Sequence, residues 1–361
     1  MNRRSFLQST SSVFAVLAVS KALPVPADTP SKDWRTFEVT TRVEVLKPSG
    51  ITHIWLPSAL KPNTPFQRTL SDHAKADGGT TKSITYKRTG LDMVAATFSA
   101  TAKPLVTLTS RVSLKNYSVD LASKAKPPRV PQSELDYFIR PTRYVPTDGI
   151  VKETSIKATA GATTDLDKAR AIYDWIVDNT FRDPKIRGCG RGDIRFMLES
   201  GDLGGKCADL NALYVGLARA AGLPARDVYG LRVAKSELGY KSLGIAADKA
   251  TKAQHCRAEV YLRDHGWVPV DPADVRKVVL EEPPGNRPLS DEMVSAARKR
   301  LFGSWEMNWM AFNYAHDVVL PGSTKDPLVF FMYPQAETSE GRVDTLDPDN
   351  FKYEITVKEV M

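Results

Sequence analysis

The chain has only three cysteines and five histidines in 361 residues. Groups able to ligate a metal or attack a carbonyl are therefore scarce, and each can be weighed singly. Long apolar runs are absent too. The longest, around Val13–Val19, is far shorter than the ~20 residues that span a bilayer, which excludes a polytopic membrane protein. No block of five or more basic residues occurs, and 50 Lys and Arg against 42 Asp and Glu is a mild excess. That leaves no electrostatic footprint for nucleic acid. Internal repeats and low-complexity tracts are missing, and 22 glycines with 24 prolines do not make a collagen-like or disordered chain. What remains is 42% hydrophobic and 25% charged, as in soluble globular proteins, and at roughly 100–200 residues per domain it has room for two or three cores.

The apolar run follows Asn2-Arg3-Arg4-Ser5-Phe6-Leu7-Gln8 and precedes small residues and the triplet Val25-Pro26-Ala27. That order is that of a signal peptide. Adjacent arginines ahead of Phe6-Leu7 look like the twin-arginine type, with Asn2 and Gln8 where the usual pattern has Ser or Thr and Lys. Lys21 near the cleavage region argues further against the general secretory route. Residues 1–27 are thus expected to be a leader cut near Ala27 and read by the twin-arginine export machinery. The mature protein is expected in the periplasm, with no stable membrane insertion.

From Trp34 to about Asp120 the sequence reads as strands: Thr36–Val45, Ile51–Leu56, Ser83–Tyr86, Met93–Phe98 and Leu105–Leu114, between turn residues. A helical period appears only near Ser71–Lys75. Residues 34–122 are read as an all-β, sandwich-like domain, in which His53 and His73 have no partner spacing. Five prolines in residues 127–146 suit a linker over 123–147. Residues 148–361 then form an α+β domain. Helices are expected over Asp165–Thr180, capped by Thr164 or Asp165, and over Cys207–Ala221, stopped by Gly222 and Pro224. Strands are expected over Ala225–Val233, Gln254–Leu262 and Trp267–Asp271, the last two forming a hairpin. A short helix capped by Ser290 and the strands Trp309–Leu320, Leu328–Tyr333 and Phe351–Val360 complete the chain, extending the domain's sheet.

Cys207 follows Gly204-Gly205-Lys206 at a helix start. The N–H groups and dipole there favour the thiolate, and comparable placements lower a cysteine pKa from ~8.5 to roughly 3.5–7.5. The glycines allow close approach of a substrate carbonyl, for which the Cys207 N–H is an oxyanion donor. A nucleophilic thiol needs a base, and the base an orienting group. His255 and Asp271 fill those roles if they share a face of the hairpin, which requires an odd-length loop or a bulge.

Gly205-Lys206-Cys207-Ala208-Asp209-Leu210-Asn211, with Leu217 to Arg226 behind it, resembles the cysteine segment of the transglutaminase-like superfamily. His255-Cys256-Arg257-Ala258-Glu259-Val260-Tyr261-Leu262 and Gly266-Trp267-Val268-Pro269-Val270-Asp271-Pro272 resemble its histidine–aspartate hairpin. The resemblance covers about residues 160–276. It implies a papain-like α+β core and acyl transfer at amide bonds through a thioester, with Cys207, His255 and Asp271 as the catalytic set. Arg257 departs from the family, many of whose members carry Trp there. The superfamily includes proteases, amidases, transglutaminases and members without activity. The expected function is therefore exported thiol-dependent acyl transfer on peptides or proteins of the envelope. The alternative is a non-catalytic binding or assembly module that keeps the fold.

No cofactor is implied. Zinc held by Cys189, Cys207, His255 and Cys256 is disfavoured, because neighbouring strand residues point to opposite faces and no Cys-x2-Cys pair exists. Cys256 would then face away from the site and could pair with Cys189, leaving Cys207 free; three free thiols is the other possibility. Arg191-Gly192-Asp193 reads as a solvated loop and His316 as structural. Asn211 is expected to make a local helix hydrogen bond, and Tyr173 and Trp175 to pack in the core.

Overall fold

The computed structural model describes residues 33–123, 127 and 129–360. The leader expected over residues 1–27 lies outside them. Six strands come first: β1 (Arg35–Val45), β2 (Thr52–Pro57), β3 (Gln67–Asp77), β4 (Gly79–Tyr86), β5 (Leu91–Phe98) and β6 (Leu105–Leu114). Helices α1 (Gln132–Ile139), α2 (Gly149–Ala158), α3 (Asp165–Asn179), α4 (Ile194–Ser200) and α5 (Cys207–Ala220) follow. Next come β7 (Ala225–Arg232), β8 (Gln254–Leu262), β9 (Gly266–Val270), α6 (Pro272–Glu281) and α7 (Glu292–Arg300). The chain ends on β10 (Trp309–Asn313), β11 (Gln335–Thr338) and β12 (Phe351–Val360).

Period-two burial builds the first layer pair. Phe37, Val39, Val43 and Val45 are buried along β1 while the residues between them are less so, the pattern of a strand with one core face. One sheet runs β12-β1-β6-β3 and a second contains β11-β2-β5-β4. Val43, Val106 and Leu108 of the first meet Ile54, Leu56, Val94 and Phe98 of the second in one apolar cluster, so the two are a sandwich. The Ser71–Lys75 stretch lies inside β3, not in a helix. Ala74 and Ala76, two apart, pack toward the sandwich core, and that spacing is a strand's.

The second half is built around α5, every residue of which is buried. It packs on β7 and β8 on one side and on α2, α3 and α6 around the rest. An apolar stripe predicts contact with a sheet; the all-round burial arises because the other helices enclose its back. Gly222 (φ +90°) ends it in the left-handed region. Its N–H reaches Arg219 O and that of Leu223 reaches Ala218 O, a Schellman stop. Thr164 caps α3 in a reciprocal capping box with Asp167.

The core sheet runs β9-β8-β7-β10. β10 thus extends it as expected, whereas β11 and β12 return to the sandwich. There β12 pairs with β1 from Thr36↔Val360 to Val45↔Phe351, covering a hydrogen-bonding edge that would otherwise be open. The proline-rich stretch contains α1, because Pro131 is its N-cap and Pro141 follows its end; neither interrupts it. α7 is capped by Asp291, whose carboxylate accepts from the N–H groups of Met293 and Val294, in place of Ser290. Among the described residues no helix is long and apolar enough to cross a membrane.

Candidate active site

Cys207 is the first residue of α5 and is buried. The turn that delivers it is fixed by Asp209, whose carboxylate accepts from the N–H groups of Arg191, Gly192 and Lys206 at 2.8–2.9 Å. This ties the 190–192 loop to the helix start. Gly190 (φ +97°) must be glycine, since a Cβ there would lie 1.8 Å from an Asp209 oxygen. Arg191-Gly192-Asp193 is accordingly structural: Asp193 also caps α4 through the Phe196 N–H.

The β8–β9 hairpin meets the parity condition. Leu262 pairs with Gly266, leaving the three-residue loop 263–265, and Gly266 takes a positive φ of 75°. Odd-numbered residues of the two strands therefore share a face. His255 Nε2 lies 2.7 Å from Asp271 Oδ2. Asp271 sits one residue beyond β9, where it caps α6 by accepting from the Asp274 N–H at 3.1 Å. With Nε2 occupied, Nδ1 is the ring nitrogen left for the sulfur.

Cys207 and His255 line one cleft of about 710 Å³. The Cys207 thiol is held well below the ordinary thiol range: hydrogen bonds from Cys189 and Cys256, helped by His255, outweigh its burial. Cys189 is pushed up, first by its bond to Cys207 and then by burial, and Cys256 is pushed up by burial and by Cys207. The thiolate is thus favoured at Cys207 over its two neighbours, and Cys189 Sγ also donates to Gln254 O at 3.3 Å. All three are free, so the Cys189–Cys256 pairing is not formed. Cys256 does not face away from the site either. It lies on the α5 side of β8 with Ala258 and Val260, while His255 is the second residue of that strand, at the end of the sheet where the cleft opens.

Asp274 and Arg232, which sequence reasoning left out, and Asn211, for which it expected another role, brace the His255–Asp271 pair. Asp274 receives both short contacts of Arg232, at 2.6 and 2.7 Å, and lies 3.4 Å from His255 Nε2. Asn211, one turn along α5, donates to Asp271 Oδ1 at 3.2 Å and to Cys256 O at 2.9 Å. It is no local helix bond but a tie between helix, strand and carboxylate. Burial and Arg232 press the His255 pKa down, Asp274 and Asp271 press it up, and the carboxylates win. Asp271 is raised by burial and by Asp274 against His255. Asp274 is driven below the usual carboxylate range, with Arg232 overcoming its burial.

A signal for Asp274 was present, since Asp271-Pro272 starts a helix and Asp274 is its third position. Arg232 had none, because only tertiary packing brings β7 to α6. Arg257 is buried with its Nε 3.7 Å from Asp271 and its guanidinium over Trp309 at 4.7 Å. It supports the carboxylate and does not line the cleft.

His255, Asp271 and Asp274 are close enough together to hold a metal ion. Their carboxylates already serve Asn211, His255 and Arg232, and two arginines flank them, so the set does not suit a cation. His316 binds Asp227 at 2.9 Å and Thr142 at 2.9 Å, in a separate structural pair. Tyr173 is in the core, its hydroxyl donating to Arg298 O, and Trp175 packs against the same core.

Residues 152–272, from α2 to the first residue of α6, match the transglutaminase-like superfamily. That segment is a transglutaminase-like domain. It is 34% identical over 354 residues to an uncharacterised protein of Haemophilus influenzae, covering 91% of this chain and 92% of that one. A solved structure from Cytophaga hutchinsonii, described as a candidate cysteine protease, superposes with a TM-score of 0.50 at 17% identity over 90% of this chain and 98% of the other. That likeness extends the shared fold beyond the core to nearly the whole chain, sandwich included.

Proposed function

We propose that this transglutaminase-like protein is a thiol-dependent enzyme that cleaves amide bonds of peptides or proteins of the cell envelope. Cys207 is the nucleophile, His255 the proton carrier and Asp271 the group that fixes the imidazole. The observation that carries this reading is the 2.7 Å contact between His255 Nε2 and Asp271, on the cleft that Cys207 shares. It leaves the other ring nitrogen for the sulfur.

The chemistry follows from that arrangement. The Cys207 thiolate attacks the amide carbonyl, and the new oxyanion is met by the Cys207 N–H, which as the first of a helix has no acceptor within it. The imidazolium of His255 gives its proton to the departing amine, leaving a thioester. His255, neutral again, takes a proton from water as the water attacks the thioester, and the thiolate is restored. The exposed residues around the cleft leave it open to water, which favours hydrolysis over transfer to a second amine. Export by the twin-arginine route would place the enzyme in the periplasm; Arg3→Lys with Arg4→Lys should then hold it in the cytoplasm, and unchanged fractionation would refute that assignment.

The test of the reaction is Cys207→Ala. The variant should fold with an unaltered circular dichroism spectrum and lose peptide hydrolysis to the uncatalysed background. Hydrolysis that persists in it would refute the mechanism.

A further inference from the structure

The cleft beside Cys207 has a one-sided charge. Eight lysines and arginines line it beside His255, with no aspartate or glutamate, although Asp and Glu are nearly as frequent as Lys and Arg in the chain. Four of the eight have acidic partners outside the lining: Arg187 has Asp344, Arg232 has Asp274, and Arg182 and Lys277 share the one carboxylate of Glu281. The other four, Lys206, Lys249, Lys252 and Lys352, have no acidic partner among the described residues. Lys206 immediately precedes the nucleophile and donates to Ile186 O at 2.5 Å. The other three are exposed and come from two segments that meet at the rim: Lys249 and Lys252 precede β8, and Lys352 is the second residue of β12. The contact is direct, since Ala250 donates to Ile355 O.

Resting on the reading of Cys207 as the nucleophile, we propose that this cleft selects acyl donors rich in carboxylates. Its substrate is then an acidic peptide, whose Asp or Glu side chains or terminal carboxylate lie against Lys249, Lys252 and Lys352 while the scissile amide reaches Cys207. A concave site of one sign, walled by protein, concentrates field and raises the local concentration of the opposite charge. Uncompensated lysines at its rim also cost nothing to desolvate until a carboxylate replaces their water. Peptide is favoured over other polyanions because the lining also offers half-buried Leu346 and Tyr353, apolar and aromatic surface suited to side chains, and because the chemistry requires an amide.

Binding separates this proposal from the catalytic one. The probe is a short fluorescent peptide bearing Glu and Asp, with its Gln and Asn counterpart and its Lys counterpart, titrated into full-length Cys207→Ala protein by anisotropy. The acidic peptide should bind about tenfold more tightly than the amide one, given contacts to the three exposed lysines, each of modest strength. The advantage should shrink as salt rises from about 50 to about 500 mM. Combined Lys249→Glu, Lys252→Glu and Lys352→Glu should abolish or invert it, with an unchanged melting temperature showing that the fold survives. Equal affinity for the three peptides, a preference that survives the triple change, or displacement by a DNA oligonucleotide as effective as the acidic peptide would each overturn it. Selective binding without Cys207-dependent hydrolysis in the unmutated protein would refute the catalytic reading alone. Hydrolysis with no preference for acidic peptides would refute the selectivity alone.

Discussion

Of the three buried thiols Cys207 is the one pushed toward the thiolate, first by its neighbours Cys189 and Cys256 and then by His255, and it is also the one at a helix N-terminus. Cys189 and Cys256 share its burial but have no such terminus, and both thiols are pushed up. The same logic of partners applies to the imidazole, which two carboxylates raise against burial and Arg232. Of these carboxylates only Asp271 has the short contact, so Asp271→Asn should be the more damaging change. The amide would present the wrong hydrogen-bonding group to Nε2 and should lower kcat by on the order of 10²–10⁴-fold with little change in KM, as measured by steady-state peptide hydrolysis. A loss of less than about fivefold would show that Asp274 orients the ring. Cys207, His255 and Asp271 were legible as candidates because each stands at an element boundary with a chemical signature: glycines before a helix, a strand start, an aspartate before proline. Arg232 and Asn211 were not, because their roles depend on which neighbour folding brings to them.

At the scale of elements, the site is where three termini converge: the start of α5, the start of β8 and the junction of β9 with α6. Local pattern fixed most of these pieces. Gln254–Leu262 and Leu105–Leu114 are strands over the expected residues, and α3 begins at the cap its sequence announces. The hairpin's register was legible only as a condition, since one residue more or less in its loop would turn His255 from Asp271. The loop that braces α5 was not legible, because the contact of Gly190 with Asp209 spans distant positions. Gly190→Ala should therefore destabilise the fold by roughly 2–4 kcal/mol in chemical denaturation, through both the positive φ and the collision. A cost below about 0.5 kcal/mol would mean the loop relaxes away without strain.

In the whole molecule, the last strand binds the halves together. β12 completes the sheet begun by β1, places Phe351 in the sandwich core and Ile355 and Val357 in the main core, and carries Lys352 and Tyr353 to the cleft. The strand was visible in the sequence. Its partner was not, since alternation tells which face is buried and says nothing of which edge is covered. Phe37, Val39, Val112 and Leu114 of the sandwich also join the main core. The described residues should then unfold in one transition, and removal of residues 351–361 should abolish it in a thermal melt followed by circular dichroism. A truncated chain that keeps a separate, sharp transition would show that one half folds unaided.

The most direct test is the rate of Cys207 alkylation by iodoacetamide in the native protein as pH is lowered. A depressed thiol pKa keeps the thiolate present as pH falls, until the pH reaches the folded value, while a raised His255 pKa keeps its imidazolium until pH rises through that value. Between the two, the ion pair persists. The rate at pH about 6 should therefore stay within about twofold of the rate at pH about 8, and His255→Ala should steepen the decline without making it that of a free thiol, because Cys189, Cys256 and the helix terminus still favour the thiolate. A native rate that already falls about tenfold for each unit below ~8.5 would mean that Cys207 is an ordinary buried thiol.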